Sequence, residues 1–290
     1  MRIPGLHGED LIIGEGDTRI MGIVNVTPDS FSDGGQFYDA GRAVSHGLSL
    51  VAEGAHVLDV GGESTRPGHS PVDAREQIRR IAPVISGLRL QTSVPISVDT
   101  TSAEVASAAL EAGADWINDT TALSADPHLA VTAAQFGCAV VLMHRFDPPR
   151  KPGDGATGRD VLVQIVDNLG DRVEHASRSG IDLDRIILDP GLGFGTLFED
   201  SLAIMADIGP MRRLPHPLLV GPSRKSFIGQ ITDKPADQRL HGTSAAVAIL
   251  AMQRVEIIRV HDVAAMVDVV KVADELREKT TEAEKGECPD

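Results

Sequence analysis

A closed barrel of eight parallel strands alternating with helices, in one domain, is the fold this sequence predicts. Three observations predict it. A unit of amphipathic helix, glycine and short apolar run recurs along the chain; eight such runs occur, with room for a crossover helix between successive ones; and nearly every run ends in a polar residue.

Residues 1–18 read as an extension in which Leu11 to Ile13 supply a short strand that plugs the closed end of the barrel. The barrel spans 19–278, and its first strand is expected over Ile20 to Val24. The repeating unit is clearest around Gly54, Gly113, Gly137 and Gly180, each followed by a run that ends at Val60, Asp119, His144 or Asp189. Glycine just past a helix end takes the left-handed turn that ends the helix, and an unbroken apolar run of this length suits a parallel strand covered on both faces. Pro95 to Val98, Pro217 to Val220 and Ile257 to Val260 complete the eight. A doubly wound open sheet is the alternative, but no glycine-rich dinucleotide fingerprint opens any of the helices. Residues 279–290 are charged, lack a hydrophobic stripe and read as a frayed tail.

Charge narrows the range of partners. Twenty-seven Lys and Arg against 42 Asp and Glu give a net charge of -15, which repels nucleic acid and anionic membrane, so an anionic substrate needs a local cluster of cations. The two cysteines, Cys138 in an apolar run and Cys288 in the tail, suggest neither a disulfide framework nor a metal cluster. With no signal-like stretch and no window of ~18 apolar residues, the expectation is a cytoplasmic protein that is neither exported nor membrane-inserted.

In such a barrel chemistry gathers at the carboxyl ends of the strands. The polar residues there are Asn25; Asp59 and Glu63; Asp99; Asn118 and Asp119; His144; Asp189; Ser223, Arg224 and Lys225; and Arg259, His261 and Asp262. Any one of them alone reads as a helix cap or a solvated loop residue. Together, Asp99, Asn118 and Asp189 offer acceptors suited to a planar heterocycle bearing N–H donors, and Arg224, Lys225, Arg259 and His261 make an anion site at the last two strand ends. The turn-rich loop from Asn25 to Gly35 and the loop from Gly61 to Gly68 read as closing segments, with ordinary solvent loops as the alternative.

The segments Asn25 to Gly35, Asp59 to Gly68, Ser97 to Thr100, Ile117 to Asp119, Asp189 to Gly195, Ser223 to Ser226 and Arg259 to Asp262 together resemble the dihydropteroate synthase family, in register from about Arg19 to Lys271. The resemblance implies a transferase of folate biosynthesis that joins 6-hydroxymethyl-7,8-dihydropterin diphosphate to p-aminobenzoate, giving 7,8-dihydropteroate and pyrophosphate. It implies pterin contacts from Asp99, Asn118, Asp189, Met143 and Lys225, and diphosphate contacts from Arg66, Arg259, His261 and Asn25, the last also reaching Mg2+. Thr65, Pro67, Phe194 and Ser226 would shape the p-aminobenzoate pocket. Asp99, Asp189, Lys225 and Arg259 would form the catalytic group, and a homodimer is implied.

Several positions depart from the family pattern. Thr196 and Ser201 replace the common lysine and asparagine after the Gly-Phe-Gly run, Ala122 stands where glycine is frequent, Pro222 precedes Ser223, and the segment from Arg145 to Pro149 is unusual. Loss of the lysine and asparagine is expected to loosen the loop that carries Phe194 and to reduce sulfonamide sensitivity. The competing readings are a methyltetrahydrofolate-type pterin methyltransferase and a catalytically silent pterin-binding paralogue.

Overall fold

The computed structural model describes residues 1–14, 17–26, 36–63, 72–154 and 158–286, with backbone only for 36–39 and 281–286. After a short hairpin, β1 (Arg2–Ile3) with β2 (Leu11–Ile12), the eight barrel strands follow as β3 (Arg19–Asn25), β4 (Val57–Gly61), β5 (Ile96–Asp99), β6 (Trp116–Asp119), β7 (Ala139–Met143), β8 (Ile186–Asp189), β9 (Leu219–Val220) and β10 (Ile257–Val260). Between and after them lie α1 (Gln36–Ala52), α2 (Ala74–Arg89), α3 (Ala103–Glu111), α4 (Leu129–Phe136), α5 (Arg159–Arg178), α6 (Phe198–Ala206), α7 (Ser226–Thr232), α8 (Leu240–Met252) and α9 (Val263–Gly286).

All neighbouring barrel strands pair in parallel in the order β8-β7-β6-β5-β4-β3-β10-β9. The ring closes through a single parallel bridge between Leu188 and Leu218 and the bond from Leu188 N–H to Pro217 C=O at 2.9 Å. The expected (β/α)8 barrel is the observed one. Gly54, Gly113, Gly137 and Gly180 all have positive φ, between 63° and 113°, so the glycine of the repeating unit does turn the chain into the next strand.

The barrel holds two apolar layers. One lies between strands and helices; the other fills the interior, where Met21, Val57, Trp116, Ala139, Val141, Ile187, Leu219 and Ile257 meet Ile3, Leu11 and Ile13 of the terminal hairpin. The plug therefore has two strands, β1 adding to the segment expected from sequence, and Trp116 Nε1 donates to Pro4 C=O at 3.2 Å beneath it. Each buried Val, Leu, Ile and Met among them contributes roughly 1.5–3 kcal/mol, so the closed pole is a packed core and not a channel.

Because successive side chains on a strand point to opposite faces, the interior set fixes the parity of every strand. Val57 inward puts Asp59 and Gly61 inward; Trp116 inward puts Asn118 inward; Val141 brings Met143, Ile187 brings Asp189, and Ile257 brings Arg259 and His261. The residues between them face the helices. At the other end of the chain, α9 continues to Gly286, so residues 279–286 are helical where the sequence suggested a frayed tail; the run Glu282-Ala283-Glu284-Lys285 has the propensity to extend a helix already anchored by Val263, Met266 and Val270.

Candidate active site

Strand register aligns the open pole. Asn25 pairs with Gly61, Gly61 with Asp99 and Asp99 with Asn118, one rung across four strands, while Met143 and Asp189 pair two residues higher on β7 and β8. On the opposite wall Arg259 reaches across the barrel. Its Nε donates to Asp59 Oδ2 at 2.6 Å and its Nη2 to Asp99 Oδ2 at 3.0 Å, and Asn118 Nδ2 donates to the same Asp59 oxygen at 3.0 Å. Asp59 is fully buried, and its second oxygen has no hydrogen-bond partner among the described residues.

The cluster is electrostatically tense. Burial, with the neighbouring Asp59 charge, pushes the Asp99 carboxyl up to about 7, against the pull of Arg259. Burial likewise raises Asp189 to about 6, although Gly191 N–H donates to it at 2.7 Å. Lys225 is driven down to about 8 by burial, with Asp189 working the other way, and its Nζ lies 4.0 Å from the Phe194 ring centre. Burial opposes the charge of Arg259, but Asp59 and Asp99 outweigh it and hold the guanidinium protonated.

Beside Arg259, Ser223 Oγ accepts from His261 N–H at 3.2 Å and lies 2.9 Å from His261 Nδ1. Arg224 belongs to a different system. It sits at φ 59° and spends its guanidinium on Asp262, at 3.1 and 2.6 Å, so its expected part in an anion site is not borne out.

Parity removes two more of the polar residues read from sequence. Asp119 faces outward and accepts from Thr121 N–H, Thr121 Oγ1 and Leu123 N–H, bracing a turn in which Ala122 and Leu123 both have positive φ. His144 also faces outward, its Nδ1 2.9 Å from Asn168 Oδ1 on α5. Glu63 is tied to α2 by Gln77 Nε2 at 2.9 Å. Conversely, Asp59 links the wall formed by Asn118 to the cation Arg259, a role its inward parity with Val57 signals once the interior is known.

Two loops are zipped together over this end. His144 N–H donates to Asp189 C=O at 2.9 Å, Phe146 N–H to Phe194 C=O at 3.2 Å and Arg150 N–H to Gly195 C=O at 2.9 Å. The zipper needs glycine, for a Cβ on Gly191 would stand 1.7 Å from His144 C=O and one on Gly195 2.3 Å from Phe146 C=O. Thr196 Oγ1 accepts from Gly193 N–H at 3.1 Å and lies 3.1 Å from Ser201 Oγ. The two departures from the family pattern thus anchor the loop through each other, where loosening was expected. Ser226, exposed, opens α7 next to Lys225.

Of the predicted site, then, Asp99, Asn118, Met143, Asp189, Lys225, Arg259, His261, Asn25 and Phe194 converge on one pole. Thr65, Arg66 and Pro67 lie outside the described residues, as does the first loop from Thr27 to Gly35. Among the described residues no group of three or more His, Cys, Asp or Glu is placed to hold a metal.

A pterin-binding enzyme family model matches residues 21–261. A dihydropteroate synthase of Synechocystis is 42% identical over 260 residues, covering 89% of this chain and 90% of its own length. The chain belongs to the dihydropteroate synthase family. Among solved structures, the synthase of Clostridium difficile with pteroic acid has a TM-score of 0.86 at 38% identity, covering 92% of this chain and 98% of that one. That of Xanthomonas albilineans with 4-aminobenzoic acid has a TM-score of 0.82 at 44% identity, covering 90% and 93%. Members of this family are transferases, and the site described above lies within the matched segment.

Proposed function

We propose that this chain condenses 6-hydroxymethyl-7,8-dihydropterin diphosphate with p-aminobenzoate, forming 7,8-dihydropteroate and releasing pyrophosphate. The observation that carries the reading is the pairing of three inward acceptors, Asp99, Asn118 and Asp189, with two inward-reaching cations, Lys225 and Arg259, at one end of the barrel. Two carboxylates raised by burial have one donor each, Arg259 for Asp99 and Gly191 N–H for Asp189, and the ring N–H and amine groups of a pterin supply more. Asn118 gives its N–H to Asp59, which leaves Oδ1 for the ligand. Met143 packs against the ring from β7.

The departing diphosphate develops charge beside Arg259 and His261, with Lys225 at the edge of the pterin; Arg66 is assigned to the same anion by family resemblance. Loss of diphosphate from a methylene on an electron-rich ring needs no strong base, so these residues hold, orient and neutralise. The arylamine approaches in line from the Phe194 side, in a pocket to which Thr65, Pro67 and Ser226 are assigned. Closing loops would keep water from the cationic carbon.

Magnesium fits as a passenger of the diphosphate. Gly61 leaves room beside Asn25, whose Oδ1 lies 3.9 Å from where a Cβ there would be, and one amide oxygen is the protein share expected of an ion otherwise bound by phosphate and water. When bound, the ion neutralises phosphate charge.

A homodimer is proposed with this function. Ile249 and Met252 on α8 and Val272 and Leu276 on α9 are exposed on two helices packed together, and a second copy would cover them. Light scattering should find two copies, and Val272→Glu should return one. No helix among the described residues is long and apolar enough to cross a membrane, and Cys138 is a buried free thiol; a cytoplasmic location is proposed with these.

The deciding experiment is a coupled assay of pyrophosphate release with the dihydropterin diphosphate and magnesium, with and without p-aminobenzoate. Release that depends on p-aminobenzoate is expected; its absence would favour a silent pterin-binding paralogue. Arg259→Ala should weaken the diphosphate substrate far more than the unphosphorylated pterin. Equal losses would favour the methyltransferase reading, whose substrate carries no diphosphate.

A further inference from the structure

The segment after β7 was singled out in the sequence as unusual, and the pterin and diphosphate contacts do not use it. Arg150, the residue that follows it, does something specific. The guanidinium carbon lies 5.3 Å from the centre of the Phe146 ring, and Nη1 lies 3.3 Å from Oδ1 of Asp200 on α6. Both side chains are nearly sealed, at 6% and 2% exposure. Asp200 uses its other oxygen to accept from Leu197 N–H at 2.8 Å, which fixes the start of α6. Arg150 N–H meanwhile donates to Gly195 C=O, next to Phe194, and Phe146 N–H donates to Phe194 C=O. One residue therefore grips the chain after Phe194 twice, by its backbone at Gly195 and by its side chain at Asp200 in the first turn of α6.

On the inner side of the segment Phe146 packs against the core and edge-on to the His144 ring. Its far side borders an open cavity of ≈ 380 Å³ lined by Pro148, Pro149, Lys151 and Gln164, so among the described residues packing does not fix it there. A buried ion pair contributes modest net stability, but removing one member strands the other charge, so Arg150 and Asp200 stay together. Phe194 in turn carries Lys225 on its ring. The loop that the ion pair positions is thus the one that faces the arylamine.

We propose that Arg150 is a positioning residue that, through its ion pair with Asp200, sets the placement of Phe194 and thereby the affinity for p-aminobenzoate. This rests on the function proposed above.

The test is steady-state kinetics of the full chain with each substrate varied in turn, alongside thermal unfolding. Arg150→Met is expected to raise KM for p-aminobenzoate by about tenfold or more, as loss of one positioning contact does in a small pocket. KM for the dihydropterin diphosphate should stay within about twofold, since the pterin wall is untouched. Arg150→Met combined with Asp200→Asn removes both charges; it should recover any stability lost in the single variant while leaving KM for p-aminobenzoate high. Arg150→Lys keeps the charge without the planar fork and should fall between. The proposal is overturned if the two KM values move together, or if only the melting temperature changes in a folded variant. A wild-type chain that releases no pyrophosphate would instead defeat the function proposed above, and calorimetric titration of p-aminobenzoate into the pterin-loaded variants would still read the role of Arg150.

Discussion

The two poles of the barrel each bury aspartates, and they treat them in opposite ways. At the closed pole Asp115, just before β6, is fully buried and accepts five hydrogen bonds: from the N–H groups of Leu6, His7 and Gly8 at 2.8, 2.6 and 2.7 Å, from Ile96 N–H at 2.8 Å and from Arg89 Nη2 at 2.6 Å. At the open pole Asp59 keeps an oxygen without a partner, Asp189 accepts from one backbone N–H, and Asp99 shares Arg259 with Asp59. Desolvating a carboxylate is costly unless donors replace the lost water. At the closed pole the protein supplies all of them and gains the closure of its plug. At the open pole it withholds them, and a ligand rich in N–H groups completes the set.

The sharpest break in this comparison is Asp115→Ala. It takes the carboxylate from Arg89, whose guanidinium keeps the carbonyls of Thr92, Val94 and Gly113, and leaves the amides of Leu6, His7, Gly8 and Ile96 without that acceptor, so a loss of about 3–5 kcal/mol is expected in denaturant unfolding. Pyrophosphate release per folded molecule should not change. If activity falls more than stability, the poles are not separable.

Asp189→Asn should behave in the converse manner. Replacing a charge-assisted acceptor by an amide is expected to weaken the pterin by roughly 1.5–3 kcal/mol in calorimetry, while the ligand-free protein keeps or gains stability because an under-partnered buried charge is gone. Unchanged pterin affinity would remove Asp189 from the site.

A smaller effect distinguishes the poles by pH. Asp99 and Asp189 rise from 3.8 to about 7 and about 6 in the folded chain, so between those values the native state binds more protons than the unfolded one. Their contribution to stability is fully present below pH 3.8 and is lost as pH rises through about 6 and 7. Lys225, lowered from 10.5 to about 8, acts on the alkaline side, where stability recovers as pH rises from about 8 to 10.5. Denaturant titrations of the ligand-free chain from pH 4 to 8 should therefore show a downward slope that Asp99→Asn flattens. Pterin affinity should run the other way, falling as the carboxylates take up protons below about pH 6.

The open pole was far more legible in the sequence than the closed one, and for a physical reason. Its residues end apolar runs, so Asn25, Asp99, Asn118, Asp189 and Arg259 stand out in one dimension. Which of two adjacent polar residues points inward was not legible, because parity depends on where the barrel interior lies; Asn118 and Met143 face the site, while Asp119 and His144 face helices. The Asp115 clamp was invisible since three of its donors are backbone N–H groups more than 100 residues away, which leave no side-chain signature. The Arg150–Asp200 pair spans 50 positions, from a loop to the first turn of α6, and left only an unusual composition beside Arg150.

The least of the expected effects lies at the rim of the open pole and tests whether that pole also carries backbone strain. After β6 the chain turns through Ala122 and Leu123 at φ 49° and 63°, a conformation that costs an L-residue roughly 1–2 kcal/mol and glycine almost nothing. The turn persists because Asp119 takes the N–H groups of Thr121 and Leu123 and Arg172 Nε donates to Ala122 C=O at 2.6 Å. Ala122→Gly relieves the strain at the first position but gives the unfolded chain more freedom, about 0.4–1 kcal/mol in the opposite sense. The net expectation is stabilisation of about 0.5–1 kcal/mol, read as a higher midpoint in urea with an unchanged slope. Since Asp119 faces the helices and not the site, pterin affinity should be unaltered. A gain in stability accompanied by a loss of affinity would mean that the strained turn sets the position of Asn118, and that strain at this pole serves binding as directly as the withheld hydrogen bonds do.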